Sequence, residues 1–145
     1  MLKSGLVALC VTFTAGLVSL TAAPQAHAAG LFAKTQVIVD EEIAISNRGS
    51  QMRGFKLSRK ATLQVSVKGT KNTDKGFDVY LMTTDNYEKF KAGKEFKHFP
   101  AFQGLKITGA TNTEDIPTGD YVLVIHNKYN LLKGMIVQVK ATINP

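Results

Sequence analysis

A period-two pattern marks the chain at three places. From Ala61 to Val67, Leu63, Val65 and Val67 alternate with Thr62, Gln64 and Ser66. A period of two sends each set to one face of an extended strand. Phe77 to Met82 repeats it, with Phe77, Val79 and Leu81 on one side and Asp78, Tyr80 and Met82 on the other. In Met135 to Ile143 the inward set is Val137, Val139, Ala141 and Ile143, and Gln138, Lys140 and Thr142 face outward. Tyr121 to Ile125 is different: an unbroken apolar run closed by His126-Asn127. Its β-branched and aromatic residues favour a strand, and a run this short fits one buried on both faces. It is expected to be the central strand. The expected core is Leu63, Val65, Val67, Phe77, Val79, Leu81, Leu123, Ile125, Val137 and Val139.

The remaining elements are weaker. Thr35–Val39 and Ile43–Ile45 read as short strands on either side of an acidic turn, Asp40-Glu41-Glu42. Ser46 to Gly54 reads as a polar loop, Phe55–Leu57 as a strand start and Leu105–Thr108 as a short strand. Lys68–Gly76 and Gly109–Asp115 are polar and turn-like, and Asn127–Gly134 is a hairpin-like connection. Asn86–Ala92 is expected to be a short helix, capped by Thr84 or Asp85 and stopped by Gly93. Tyr87 and Phe90, three apart, pin it to the sheet. Pro117-Thr118-Gly119-Asp120 predicts a type II turn, with proline at the preset φ and Gly119 at φ > 0. The whole is read as an all-β, antiparallel β-sandwich, jelly-roll-like, of about seven to eight strands with one short helical insertion.

The first segment does not belong to that fold. Lys3 is followed by an apolar stretch from Leu6 to Leu20, then Pro24 and Ala26-His27-Ala28. A positive start, an apolar middle and an A-x-A site read as a secretory signal peptide. Residues 1–28 are therefore expected to be removed and 29–145 to form the sandwich domain, exported to the periplasm or secreted, with no transmembrane helix after cleavage. Cys10, the single cysteine, leaves with the signal. That excludes a disulfide, a thiolate metal site and a cysteine nucleophile from the mature domain.

The chain carries a formal charge of +7, and Lys3 is the only charge lost with the signal. A basic exported domain favours acidic partners such as anionic glycans or envelope polymers. No recognised nucleic-acid motif is present, so no specific nucleic acid is expected. The candidate ligand surface is Tyr87, Lys89, Lys91, Lys94, Phe96, Lys97 and His98, where aromatics interleave with lysines. Stacking with charge neutralisation is one use of such a surface. Contact with an anionic membrane surface is a second, and anchoring an insertion while the lysines stay solvated is the third. Asp74, Asp78 and Asp120 are candidate calcium ligands if they converge, although their spacing is not that of an EF-hand. Otherwise no cofactor is expected, and His98 with His126 makes a poor metal site. Ser46, Ser50, Ser58 and Ser66 lie outside any G-x-S-x-G elbow, and no P-loop, G-x-G-x-x-G or H-E-x-x-H occurs. The domain is not expected to be an enzyme.

Gly76-Phe77-Asp78-Val79-Tyr80-Leu81, followed by Ile116-Pro117-Thr118-Gly119-Asp120-Tyr121-Val122-Leu123-Val124, resembles the bacterial pre-peptidase C-terminal domain family. A more distant resemblance is to GOLD-type β-sandwiches. The match covers much of Phe55 to Ile143, and Thr84–Phe102 departs from it as an insertion. The resemblance implies a stand-alone binding or accessory module and supplies no site residues. The expected function is recognition of a protein or envelope component through loops and the 84–102 insertion. The alternatives are a carbohydrate or polyanion binder using the lysine and aromatic surface, and a small hydrolase.

Overall fold

The computed structural model describes residues 34–144, so the segment read as a signal peptide lies outside the described residues. Eight strands occur among them: β1 (Gln36–Ile45), β2 (Ser50–Leu57), β3 (Ala61–Lys71), β4 (Phe77–Thr83), β5 (Gly104–Ile107), β6 (Gly109–Ile116), β7 (Gly119–His126) and β8 (Met135–Asn144). One helix, α1 (Thr84–Lys91), follows β4. The first sheet has the order β1-β8-β3-β6 and the second β2-β7-β4-β5. Each strand pairs antiparallel with its mirror image in sequence: β1 with β8, β2 with β7, β3 with β6, β4 with β5. A long hairpin folded over on itself gives this order. The β3–β8 and β4–β7 pairs join its arms into sheets. The fold is an eight-stranded jelly roll. No described helix is long and apolar enough to cross a membrane.

Alternation places the core where the pattern put it. All ten expected core residues are buried, none more than 4% exposed. Both faces of β7 are covered. Tyr121, Leu123 and Ile125 pack between the sheets, while Val122 and Val124 join Met82 in a smaller cluster on the outer face of the second sheet. Tyr87 and Phe90 of α1 pack on that cluster. The helix ends at Gly93, which has φ +65°. Gly93 donates to the Phe90 carbonyl and Lys94 to the Lys89 carbonyl, the paired bonds of a Schellman stop. The helix starts at Thr84, two residues before the expected Asn86. Its N-cap is Thr83, whose hydroxyl takes a bond from the Asn86 amide instead of capping a backbone N–H.

Several boundaries differ from the sequence reading. Asp40-Glu41-Glu42 is no turn, because β1 runs through it. The strand lies on a sheet edge, where charge is tolerated and discourages edge-to-edge pairing. Asp40 accepts a bond from Gln138 at 3.0 Å. Glu41 accepts a bidentate pair from Arg53 of β2, which ties the rims of the two sheets. Ser50 to Gly54 is strand, and β3 continues to Lys71. Gly109 to Asp115, read as a turn, is most of β6. It is an edge strand held by a polar ladder to β3: Thr62 to Asp115, Thr111 to Ser66, Gln64 to Thr113. Asn127–Gly134 is not a hairpin, since it carries the chain from the second sheet to the first.

Gly119 is the instructive correction. Its φ is not positive; Gly76 and Gly93 are the described glycines that have that conformation. A Cβ on Gly119 would instead stand 3.0 Å from the Tyr121 hydroxyl and 3.1 Å from its ring. That ring cannot easily yield. Its O–H donates to the Pro117 carbonyl at 2.7 Å, and Phe55 and Phe99 pack on it. Gly119 is needed for close approach, not for a left-handed turn. Gly119→Ala is therefore expected to cost about 1–3 kcal/mol by overpacking. Thermal melts check this, and a higher midpoint in the variant would sink the account.

Candidate functional site

The segment from Thr84 to Phe102 crosses the outer face of the second sheet. Phe90 and Phe96 meet edge to face at 5.2 Å, and Phe96 meets Tyr80 at 5.5 Å. The backbone is tied down as well, with Phe99 donating to the Leu81 carbonyl and Lys97 to the Asn86 side chain, both at 2.9 Å. Of the candidate surface residues, Tyr87 and Phe96 are thus half-buried anchors. His98 is half-buried against Tyr80 at 5.6 Å, and its Nδ1 is buried without a partner. Lys89, Lys91, Lys94 and Lys97 are exposed. Lys91 pairs with Glu88 at 2.8 Å and stands 5.1 Å from the Tyr87 ring centre. Asp85, Glu88 and Glu95 on the same segment nearly cancel the four lysines.

A polar row crosses the second sheet at one end. Ser50 of β2 and Asp78 of β4 are both register partners of His126 on β7. Ser50 Oγ lies 2.6 Å from His126 Nδ1. Asp78 is 1% exposed. One of its oxygens accepts from the Lys106 N–H at 2.8 Å and the other from the Tyr80 O–H at 3.3 Å. Burial, then the Asp78 charge, pushes the Tyr80 hydroxyl up to about 12. Hydrogen bonding to Asp78 raises the Tyr129 hydroxyl. Burial lowers His126, which favours the neutral ring. A nucleophilic triad needs the carboxylate bonded to the second ring nitrogen. Asp78 directs its oxygens to the Lys106 N–H and to the Tyr80 and Tyr129 hydroxyls, and the Ser50–His126 bond joins β2 to β7. Sequence reasoning could not have paired Ser50 with His126. Only strand register brings them together.

The carboxylates read as calcium candidates do not converge. Asp78 faces His126, whereas Asp120 lies at the other end of β7, about 20 Å away at the rise of a strand. No group of three or more His, Cys, Asp or Glu able to hold a metal occurs among the described residues.

The same end holds a concavity. It has a volume of about 490 Å³ and lies between the β3–β4 and β7–β8 connections. Its walls include Asn72, Lys75, Tyr129, Leu131, Leu132 and Lys133. Asparagines hold the β7–β8 connection in shape. Asn127, fully buried, donates to the Ser46 carbonyl at 3.0 Å and to the Lys133 carbonyl at 3.4 Å. Its oxygen accepts from the Asn130 N–H at 3.3 Å. Asn130 in turn donates to the Asn72 carbonyl and accepts from the Lys133 N–H. Asn47 donates to the Leu131 carbonyl. With its backbone so engaged, the connection holds Leu131 and Leu132 in solvent, 51% and 91% exposed. The sequence reading missed this site, although the density of asparagine in 127–130 was a visible signal.

No family model matches the chain, and no curated protein does. Among solved structures, the chain is similar to the pre-peptidase C-terminal domain of a collagenase from Bacillus anthracis. The two share 13% identity with a TM-score of 0.48, over 71% of this chain and 89% of that one. This is the family that the two strand motifs resemble. At such identity the likeness is one of fold.

Proposed function

We propose that the domain is an exported, non-catalytic binding module that recognises an envelope component through the loops at one end of the sandwich. The observation that carries this reading is the 490 Å³ concavity beside the asparagine-held β7–β8 connection. A preformed concave site that sets polar groups beside apolar and aromatic side chains is the usual form of a recognition site. The insertion serves as support. Its aromatics face the sheet, and its charge is nearly balanced, which disfavours a polyanion surface there.

The test is a thermal-shift screen of exported protein against glycans, anionic polymers, peptides and lipid headgroups, followed by hydrogen exchange with any hit. Protection of residues 72–75 and 128–133 is expected. Protection confined to 84–102 would move recognition to the insertion. Turnover of any compound in the panel would overturn the non-catalytic reading.

A further inference from the structure

The two ends of the sandwich differ in charge. Arg48, Lys71, Lys75, Lys106, Lys128 and Lys133 lie in or beside the loops at the His126 end, with Asp74 as the exposed acid. At the opposite end, the four cations Lys34, Lys56, Arg59 and Lys60 are nearly balanced by Glu114, Asp115 and Asp120. There the charges pair, Lys60 with Asp115 at 3.3 Å and Lys56 with Asp120 at 3.9 Å. None of the six cations at the His126 end joins an ion pair among the described residues. Leu131 and Leu132 project from the middle of this charge, and Tyr129 stands beside them with Lys106 and Lys128 about 6 Å from its ring. Arg48, Asn72 and Lys106, the three described non-glycine residues with left-handed φ, are all at this end. Strain of that kind persists where the surroundings enforce it, and it concentrates at functional sites.

We propose that this end docks on the surface of an anionic lipid bilayer, with Leu131 and Leu132 entering the headgroup and acyl boundary and the cations meeting the headgroups. The proposal rests on the loop-recognition reading above and names its partner. Each half of the pattern needs the other. A soluble polyanion satisfies the cations but offers nothing to two exposed leucines. A neutral apolar partner satisfies the leucines and leaves the cations idle. An anionic membrane satisfies both: cations near its surface and buried apolar side chains each strengthen attachment. The asparagine clamp means that the loop need not be ordered on binding, which removes an entropic cost.

The experiment is sedimentation of exported protein with vesicles of phosphatidylcholine, alone or mixed with phosphatidylglycerol, over a range of salt. Binding is expected only with phosphatidylglycerol present, and it should fall as salt rises. Leu132→Ser should weaken it roughly tenfold, from the loss of one buried side chain. Lys128→Glu should weaken it about fivefold or more. Both side chains are exposed, so the melting midpoint should stay at the wild-type value. Absence of sedimentation, equal binding to phosphatidylcholine alone, or indifference to Leu132→Ser overturns the proposal. Tighter binding to dextran sulfate that ignores Leu132→Ser would assign the end to a polyanion. That outcome would leave loop recognition standing and remove the membrane.

Discussion

Leu123→Ala is expected to lower the unfolding free energy by about 2–5 kcal/mol. Leu123 is fully buried in the middle of β7, opposite Leu81 of β4. It faces the main core, where two sheets already pack from both sides. Removing its branched end loses transfer free energy and leaves a cavity that the sheets can fill only by giving up their own pairing. Val124→Ala, one residue on, supplies the contrast. Val124 is also fully buried, but it lies in the small cluster that the insertion packs against. A single segment can settle onto the gap more easily than a sheet can. Fewer atoms are removed as well, so the cost should be smaller. Urea unfolding of both variants checks this through the midpoint at constant slope. A Leu123→Ala midpoint equal to wild type would show that the site does not bear on the core.

Asn127→Ala is expected to cost about 3 kcal/mol and to loosen the β7–β8 connection. The side chain is fully buried and holds three backbone groups: the Ser46 and Lys133 carbonyls and the Asn130 N–H. Alanine leaves them without that partner in a place where water is excluded, and each orphaned group costs about 1–3 kcal/mol before relaxation. Asn127→Asp sharpens the test. Aspartate keeps an acceptor for Asn130 but turns a negative oxygen toward two carbonyls. It should therefore be no better than alanine, although it is closer in shape. Melts give the stability, and hydrogen exchange at 128–133 gives the loosening. Wild-type values for both in Asn127→Ala would remove the clamp from the account. A loosened loop should also weaken vesicle attachment without touching a leucine or a lysine, because ordering would then have to be supplied on binding.

Much of the fold was legible because most of its strands report their surroundings locally. A strand with one face on the core and the other toward solvent must alternate, and Ala61–Val67 and Met135–Ile143 do so, whereas β4 has both faces covered. Tyr121–Ile125 departs from alternation because its outer face is covered too, and the unbroken run announced that. The helix stop at Gly93 was legible for a similar reason, since a left-handed residue is a local demand. The acidic part of β1 and nearly all of β6 were not legible. They are edge strands, and their polar residues are satisfied by neighbours such as Gln138 and Ser66 that lie far away in sequence. Local pattern cannot distinguish such a strand from a turn.

The site divides in the same way. The sequence by itself established that the chain is basic and that aromatics alternate with lysines in 87–98. Only the tertiary structure decided that these aromatics face inward as anchors, because Met82, Val122 and Val124 present an apolar face for them to cover. Only strand register set Ser50 beside His126, 76 residues away. Only the jelly-roll winding brought cations from four separate connections to one end, around Leu131 and Leu132. Composition fixes how much charge and apolar surface a chain has. Where they gather depends on which strand ends meet, and pairing between residues distant in sequence decides that.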